Sequence, residues 1–449
     1  MEETIVAIST PPGEGGIGVI RLSGSQAIPI AQHIFRSKNS LGQRVRYAEY
    51  GSIYVEGRGI DTGLASVFIA PNSYTGEDTV EISCHGSRLI LEMVVSEAIR
   101  RGARSAAPGE FTRRAFLNGK LDLVQAEAVV DLIQASSEKG LEDAFSLAGG
   151  RLSREIRRLK NVLLKVLALV EVGLDFSEED IDPISREHVQ DALGEVLLKA
   201  SELTETFTAG QRRLDGFLIA LVGRPNVGKS TLLNCLLGED RAIVTDIPGT
   251  TRDLVEGQTT WGGHKIRLVD TAGLRNSDDP VECEGIKRAH KIAGEADAVL
   301  FVVDSTEKDY TEERRMFDSL GLEKSIVVFN KVDQCEEVRK GPFSPSDISV
   351  EISALTGAGR SELIDSVLPF LPQGGVQEGL VLTRQRHYEC LCSVVRNVET
   401  AKQLIALGEP DECTAQELHE AHKSLGAMLG EDIREELLDS IFADFCIGK

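Results

Sequence analysis

Residues 217–234, Phe217-Leu-Ile-Ala-Leu-Val-Gly-Arg-Pro-Asn-Val-Gly-Lys-Ser-Thr-Leu-Leu-Asn234, decide how the chain is read. Phe217 to Val222 is a short run of apolar residues, the pattern of a strand buried on both faces. Gly223 to Ser230 fits G-x-x-x-x-G-K-[ST], and Thr231 to Asn234 opens a helix. Strand, Gly-rich loop and helix in that order make a phosphate cradle. Backbone N–H groups from Asn226, Val227, Gly228, Lys229, Ser230 and Thr231 can surround a β-phosphate, and the helix dipole favours its charge. Lys229 can bridge β- and γ-phosphates, while the Ser230 hydroxyl suits Mg²⁺.

Working outward, Asn330-Lys331-Val332-Asp333 names the base. It closes the apolar run Ser325–Phe329, at the strand end where open α/β sheets bind ligands. The Asp333 carboxylate can accept from guanine N1–H and its 2-amino group, and paired bonds of that kind reject the wrong base by roughly 10⁴-fold. Ser353 and Ala354, after the next strand, can meet guanine O6 through backbone N–H groups. Asp270-Thr271-Ala272-Gly273 ends another strand, with Asp270 directed at Mg²⁺ through water and Gly273 at the γ-phosphate. Pro248-Gly249-Thr250-Thr251-Arg252-Asp253 holds the switch threonines, one of which completes the metal shell. GTP and Mg²⁺ are therefore the expected ligands. Leu274 follows Gly273 where Ras-like enzymes carry a water-orienting Gln, and leucine cannot hold a water. The acidic segment after it, residues 276–284, offers carboxylates without singling one out.

The chain has 449 residues, enough for about three domains. Residues 1–118 read as mixed and β-rich, with strands at Ile5–Ser9, Ile17–Leu22 and Thr79–Cys84 and a helix over Leu89–Ile99. Residues 119–215 and 373–449 read as helical, and 216–372 alternates strand and helix as a doubly wound sheet. Strands are expected at Phe217–Val222, Lys265–Val269, Val299–Val303, Ser325–Phe329 and Ile348–Ile352. Trp261-Gly262-Gly263-His264 reads as a hairpin that makes one edge strand antiparallel. The fold class is α/β plus α, the nucleotide domain inserted into a discontinuous helical domain. An apolar stripe, Leu418, Ala421, Leu425, Met428, Ile433, Leu437, Ile441 and Phe445, runs towards the terminus. Leu159, Val162, Val166 and Leu169 mark another helix face. Arg151, Arg154, Arg157, Arg158 and Lys160 form a basic helix face, either solvated or a contact for RNA or a partner.

A net charge of −22 argues against autonomous tight grip on nucleic acid. No apolar run reaches the ~18–20 residues of a membrane span, and MEETIVAIST lacks a signal-peptide pattern. The eight scattered cysteines fit free thiols in a reducing cytoplasm.

The flanking motifs identify a relationship. TIVAISTPPGEGGIGVIRLSG near the start, NSYTGED, PGEFTRRAFLNGKLDLVQAEA and the final Cys446-Ile-Gly-Lys449 make the chain resemble the MnmE (TrmE) family of tRNA modification GTPases along essentially its whole length. The resemblance implies homodimers formed through an N-terminal domain like the tetrahydrofolate-binding domain of the glycine cleavage T-protein. Its pocket for 5-formyl- or 5,10-methylene-tetrahydrofolate maps to Arg21, Glu81 and Lys120, with Lys449 nearby. It also implies K⁺-dependent pairing of the GTPase domains without an arginine finger. Asn226, Thr245, Ile247 and Thr250 correspond to the K⁺ ligands, with Asp246 in the same loop, and Ser230 and Thr251 correspond to those of Mg²⁺. A cation beside the phosphates can supply the neutralisation that an arginine finger gives, worth roughly 10³–10⁵ in rate. The water-orienting Glu of the family corresponds to Glu282. Cys446 lies in the terminal motif, either as a covalent participant or as a structural thiol. The implied partners are tRNA and MnmG, an FAD protein that completes a heterotetramer. The competing class is a ribosome-assembly or regulatory GTPase of the Era or EngA type, acting by binding alone. It predicts a basic RNA-binding appendage such as a KH-like domain, and the C-terminal helices carry none.

Overall fold

The structure is a computed structural model that describes residues 3–43, 45–175, 186–238, 255–270, 291–321, 324–335, 337–338, 341–343, 347–371, 379–443 and 445–448. Residues 245–251, 271–273, Glu282 and Lys449, named above, lie outside them. The chain divides into two compact units. One comprises Met1–Ile133, Phe145–Ala200 and Cys390–Lys449; the other comprises Gln134–Ala144 and Ser201–Glu389.

The first unit contains a seven-stranded sheet. Its strands are β1 (Ile5–Ile8), β2 (Gly15–Ser23), β3 (Phe35–Ser37), β4 (Glu49–Val55), β5 (Arg58–Phe68), β6 (Thr79–Gly86) and β7 (Arg104–Ser105), in the order β3-β4-β5-β6-β2-β1-β7. Pairing is antiparallel except for β1 with β7. Alternation sets the faces: Ile20, Leu22, Val80 and Ile82 point into a core shared with Ile30, Ile34, Leu91 and Val94 of two helices. Arg21 and Glu81, opposite each other in the β2–β6 register, share the other face.

The remainder of this unit is helical. Leu152, Ile156, Leu159, Leu163 and Val166 of the helix Arg151–Asp175 are buried. Val162 is only half-buried and Leu169 is 38% exposed, so the inward face is rotated from the expected one. The terminal stripe departs in a similar way. Leu418, Ala421, Leu425 and Met428 are buried as expected, but the helix Asp411–Leu429 stops at Gly430, with φ 91°. A new helix, Glu435–Ala443, starts with its own phase and buries Leu438 and Phe442, with Phe445 beyond it, while Leu437 is 45% exposed. A left-handed cap ends one helical phase, so counting through it misplaces the face.

The second unit holds a six-stranded sheet: β8 (Phe217–Val222), β9 (Val255–Trp261), β10 (His264–Asp270), β11 (Ala298–Asp304), β12 (Ser325–Asn330) and β13 (Ser349–Ile352), in the order β13-β12-β11-β8-β10-β9. All pairs are parallel except the β9–β10 hairpin, which turns at Gly262-Gly263. Phe217, Ile219 and Leu221 enter one core and Ala220 and Val222 the other, which is why the run shows no polar alternation. Among the described residues, no helix is long and apolar enough to cross a membrane.

Candidate nucleotide site and a second polar cluster

The parallel register brings the ends of β8, β10, β11 and β12 to one edge of the sheet. Asp270 lies beside Leu221, and Asp304 beside Asn330. From β8 the chain enters the phosphate loop at Gly223, whose φ is 154° and where an added Cβ would stand 2.3 Å from Val302 O. Asn226 takes the left-handed conformation at φ 64°. Gly228, at φ 95°, caps the helix Lys229–Leu237, and a Cβ there would stand 2.3 Å from the Asn330 side-chain nitrogen. Glycine is required at both ends of the loop.

Asn330 explains that close approach. It is 2% exposed; its Nδ2 donates to Val227 O at 2.9 Å, and its Oδ1 accepts from Ala354 N at 3.0 Å. One amide thus fastens the phosphate loop to the turn that follows β13. Lys331, in the left-handed region at φ 68°, donates to Asn226 O at 2.9 Å and pairs with Asp304. Burial raises the Asp304 pKa, but Lys331 and the N–H and O–H of Thr306 outweigh it and hold the carboxyl below its ordinary range. Asp333 is exposed and accepts from Ser353 Oγ at 2.5 Å, which leaves its other carboxylate oxygen able to accept from a base. Ser353 and Ala354 are buried beside it, whereas Leu355 is 77% exposed.

At the phosphate end, Lys229 is 5% exposed and donates to Gly223 O and Arg224 O, both at 2.7 Å. Those carbonyls hold the ammonium over the loop. Ser230 Oγ donates to Asp270 Oδ2 at 2.6 Å, and Asp270 is fully buried. This hydroxyl–carboxylate pair suits Mg²⁺, which takes one or two protein oxygens and completes its shell with phosphate and water. No cage of three or more His, Cys, Asp or Glu forms among the described residues. Thr231 is exposed on the first turn of the helix. Sequence reading missed Arg224, which ion-pairs with the buried Glu313 at 2.9 Å and braces the loop from outside. A charge at a variable motif position gave no signal for it.

A second polar cluster lies in the first unit. Arg21 Nε donates to Glu81 Oε1 at 2.9 Å, with the guanidinium 5.3 Å from the Tyr74 ring and 5.6 Å from that of Phe111. Burial raises the Tyr74 pKa against the opposing effects of Thr112 and Arg21. Lys120 Nζ donates to Pro71 O at 2.9 Å, at the head of the segment that carries Tyr74. Beneath it, Arg114 is 4% exposed and pairs with Glu77 and Glu110. Burial raises the Glu110 pKa, but Arg104, the Ala107 N–H and Arg114 outweigh it and bring the carboxyl down to about 2. The Cys446 carbonyl accepts from Gly109 N at 3.4 Å, while its side chain is exposed. Gly448, at φ 94°, passes so close to β1 that a Cβ would stand 2.3 Å from Ile8 O. The tail is therefore seated against the N-terminal sheet. Tyr74 and Phe111 were missed at the sequence level because they reach Arg21 from a loop and a helix far along the chain, and Arg114 because its partners, Glu77 and Glu110, are joined only by the fold.

Comparison with known proteins adds the family context. The family description "MnmE helical domain" matches residues 123–446, and "GTP-binding protein TrmE N-terminus" matches residues 4–120. The tRNA modification GTPase MnmE of Aquifex aeolicus (strain VF5) is 42% identical, with all of both chains covered. Its counterpart in Moorella thermoacetica is likewise 42% identical over the whole of both chains. Among solved structures, Aquifex aeolicus Era bound to GDP·AlF4⁻ is 30% identical, covering 40% of this chain and 66% of that one, with a TM-score of 0.29.

Proposed function

The chain belongs to the MnmE family of tRNA modification GTPases, and from that premise we propose a potassium-activated GTPase that acts on the wobble uridine of certain tRNAs in the cytoplasm. With a flavin-containing MnmG-type partner, the homodimer adds an aminomethyl or carboxymethylaminomethyl group at C5. The one-carbon unit comes from a reduced folate held near Arg21, Glu81 and Lys120. GTP hydrolysis opens and closes the paired GTPase domains around that chemistry.

The observation that carries the GTPase part is the Asn330 amide, which ties the phosphate loop to the turn beside Asp333. Phosphate cradle and base reader form one preorganised piece. Bound GTP can be gripped at both ends, with Ser230 and Asp270 supplying the protein oxygens for Mg²⁺. The folate part is supported by the Arg21–Glu81 pair. Its carboxylate can accept from a pterin N–H edge, and the adjacent Tyr74 and Phe111 rings offer apolar surface. Glu282 is assigned to orient the attacking water, and Cys446 to the modification chemistry at the tail.

A ribosome-assembly or regulatory GTPase of the Era or EngA type would share the nucleotide site alone. The family match over residues 4–120 favours the modifying enzyme.

Potassium dependence separates the reading from an arginine-finger GTPase. Hydrolysis should be at least tenfold faster in KCl than in NaCl at equal ionic strength, and Asn226→Ala should remove most of that difference. Equal wild-type rates in the two salts would overturn the potassium assignment.

A further inference from the structure

The helix Arg151–Asp175 carries a basic groove outside both polar clusters described above. The groove has a volume of about 530 Å³ and is lined by Arg154, Arg157, Arg158, Asn161, Val162, Lys165 and Glu195. The described residues that line it include four cations and one carboxylate, on a chain whose net charge is −22. Positions 154, 157, 158, 161 and 165 repeat at helical spacing on one side of the helix, and the span from 154 to 165 is roughly 16 Å.

The cations differ in how they are held. Arg157 Nη2 donates at 2.7 Å to Asp122, a buried carboxylate that also accepts from Ser153 Oγ at 2.9 Å. That arginine is pinned to the fold. Arg158 pairs with Glu155 at 2.9 Å and with Glu195 across the groove, and both pairs are solvent-exposed and therefore weak. Arg154 spends one N–H on Gly149 O at 2.9 Å and has no ion pair among the described residues. Lys165 is exposed and likewise has none. Val162 forms a half-buried apolar strip between them, and the Asn161 amide adds a neutral donor and acceptor. Among the described residues the four cations meet three carboxylates, Asp122, Glu155 and Glu195, and the two cations left without an ion pair, Arg154 and Lys165, are both exposed.

We propose that this groove binds the phosphate backbone of the tRNA substrate, with Arg154, Arg158 and Lys165 each contacting phosphate oxygens and Arg157 fixed beneath them. Such contacts position the RNA without reading its sequence. The proposal rests on the tRNA-modification reading and deepens it by naming where this acidic chain meets its polyanionic substrate. Glu195, the one carboxylate among the described residues that line the groove, weakens that contact and partly neutralises Arg158 while no RNA is bound.

The test measures binding of fluorescently labelled, in vitro transcribed tRNA to the full-length chain by anisotropy, from 50 to 300 mM KCl. The triple variant Arg154→Ala, Arg158→Ala, Lys165→Ala should bind at least tenfold more weakly near 100 mM. The slope of log affinity against log salt should fall by about 3, one for each lost phosphate contact. Glu195→Gln should move affinity the other way, tightening it about two- to threefold. GTP hydrolysis in KCl and the thermal unfolding midpoint of the triple variant should match wild type, which separates loss of contact from loss of fold. Unchanged affinity and slope in the triple variant would overturn the proposal. So would normal tRNA affinity combined with lost modification in cells, since that would assign the groove to a protein partner. The underlying functional reading fails by a different measurement: tRNA from a strain lacking this chain would still carry its full complement of modified wobble uridine.

Discussion

The nucleotide site and the Arg21–Glu81 cluster are built on opposite principles. In the parallel sheet, each ligand-facing group sits at or just after a strand end, so each appears as a short contiguous motif. Val222 leads into the phosphate loop, Asp270 ends β10, and Asn330 ends β12. In the antiparallel sheet the groups lie within strands and in a loop and a helix packed against them. Arg21 and Glu81 meet through register, with Tyr74 and Phe111 brought in from two further segments. Strand-end sites are written locally, whereas register sites are distributed along the chain. The two are also held differently. One amide staples the nucleotide site, while a network of arginines and carboxylates supports the other.

The largest expected effect breaks the local site. Asp333→Asn turns a double acceptor into a donor–acceptor group, so the roughly 10⁴-fold preference for guanine should be lost and xanthosine triphosphate should gain. Competition binding with the two nucleotides reads this directly, and wild-type GTP affinity in the variant would remove Asp333 as the base reader. The next effect tests the staple. Asn330→Ala leaves the Val227 carbonyl and the Ala354 N–H without their partner in a buried position, which should cost about 2–4 kcal/mol. Denaturant unfolding of the variant should show that loss in the nucleotide unit, with GTP affinity falling alongside it. A variant as stable as wild type would mean that the loop is held by its own glycines.

The smallest effect belongs to the other region. The folded-state pKa of Glu110 is depressed from 4.5 to about 2. Its contribution to stability is therefore complete above about pH 4.5 and lost progressively as the pH falls towards about 2. Glu110→Gln should flatten the acid limb of the stability profile of the first unit. An unchanged profile across that window would show that the Arg104 and Arg114 contacts add nothing.

The contrast also explains what was legible in the sequence. Strands β8, β10, β11, β12 and β13 fall within about a residue of their expected positions; in β8, β11 and β12 two-sided burial leaves an uninterrupted apolar run, while in β10 and β13 Lys265, Arg267 and Glu351 interrupt a shorter one. Strands β3, β4 and β5 were foreseen only as β-rich character. In β5, Gly59, Asp61 and Gly63 interrupt the alternation that would have marked it. Helix faces were legible only in part: within Arg151–Asp175, Val162 and Leu169 lie off the buried face, and across the break at Gly430 the phase is lost altogether, as Leu437 and Leu438 show. Arg21, Glu81 and Lys120 were named through family resemblance alone, since no local pattern distinguishes them from ordinary strand and loop residues.

On the function proposed above, two differently built sites serve one reaction, the first hydrolysing GTP and the second carrying the modification chemistry. Glu81→Ala tests it most directly. The readout is the content of modified wobble uridine, by mass spectrometry of digested tRNA, in a strain whose only copy carries the substitution. Potassium-stimulated GTP hydrolysis is measured on the same variant after purification. Hydrolysis should stay within twofold of wild type while the modified nucleoside falls by more than tenfold. Normal modified-uridine content alongside normal hydrolysis would contradict it.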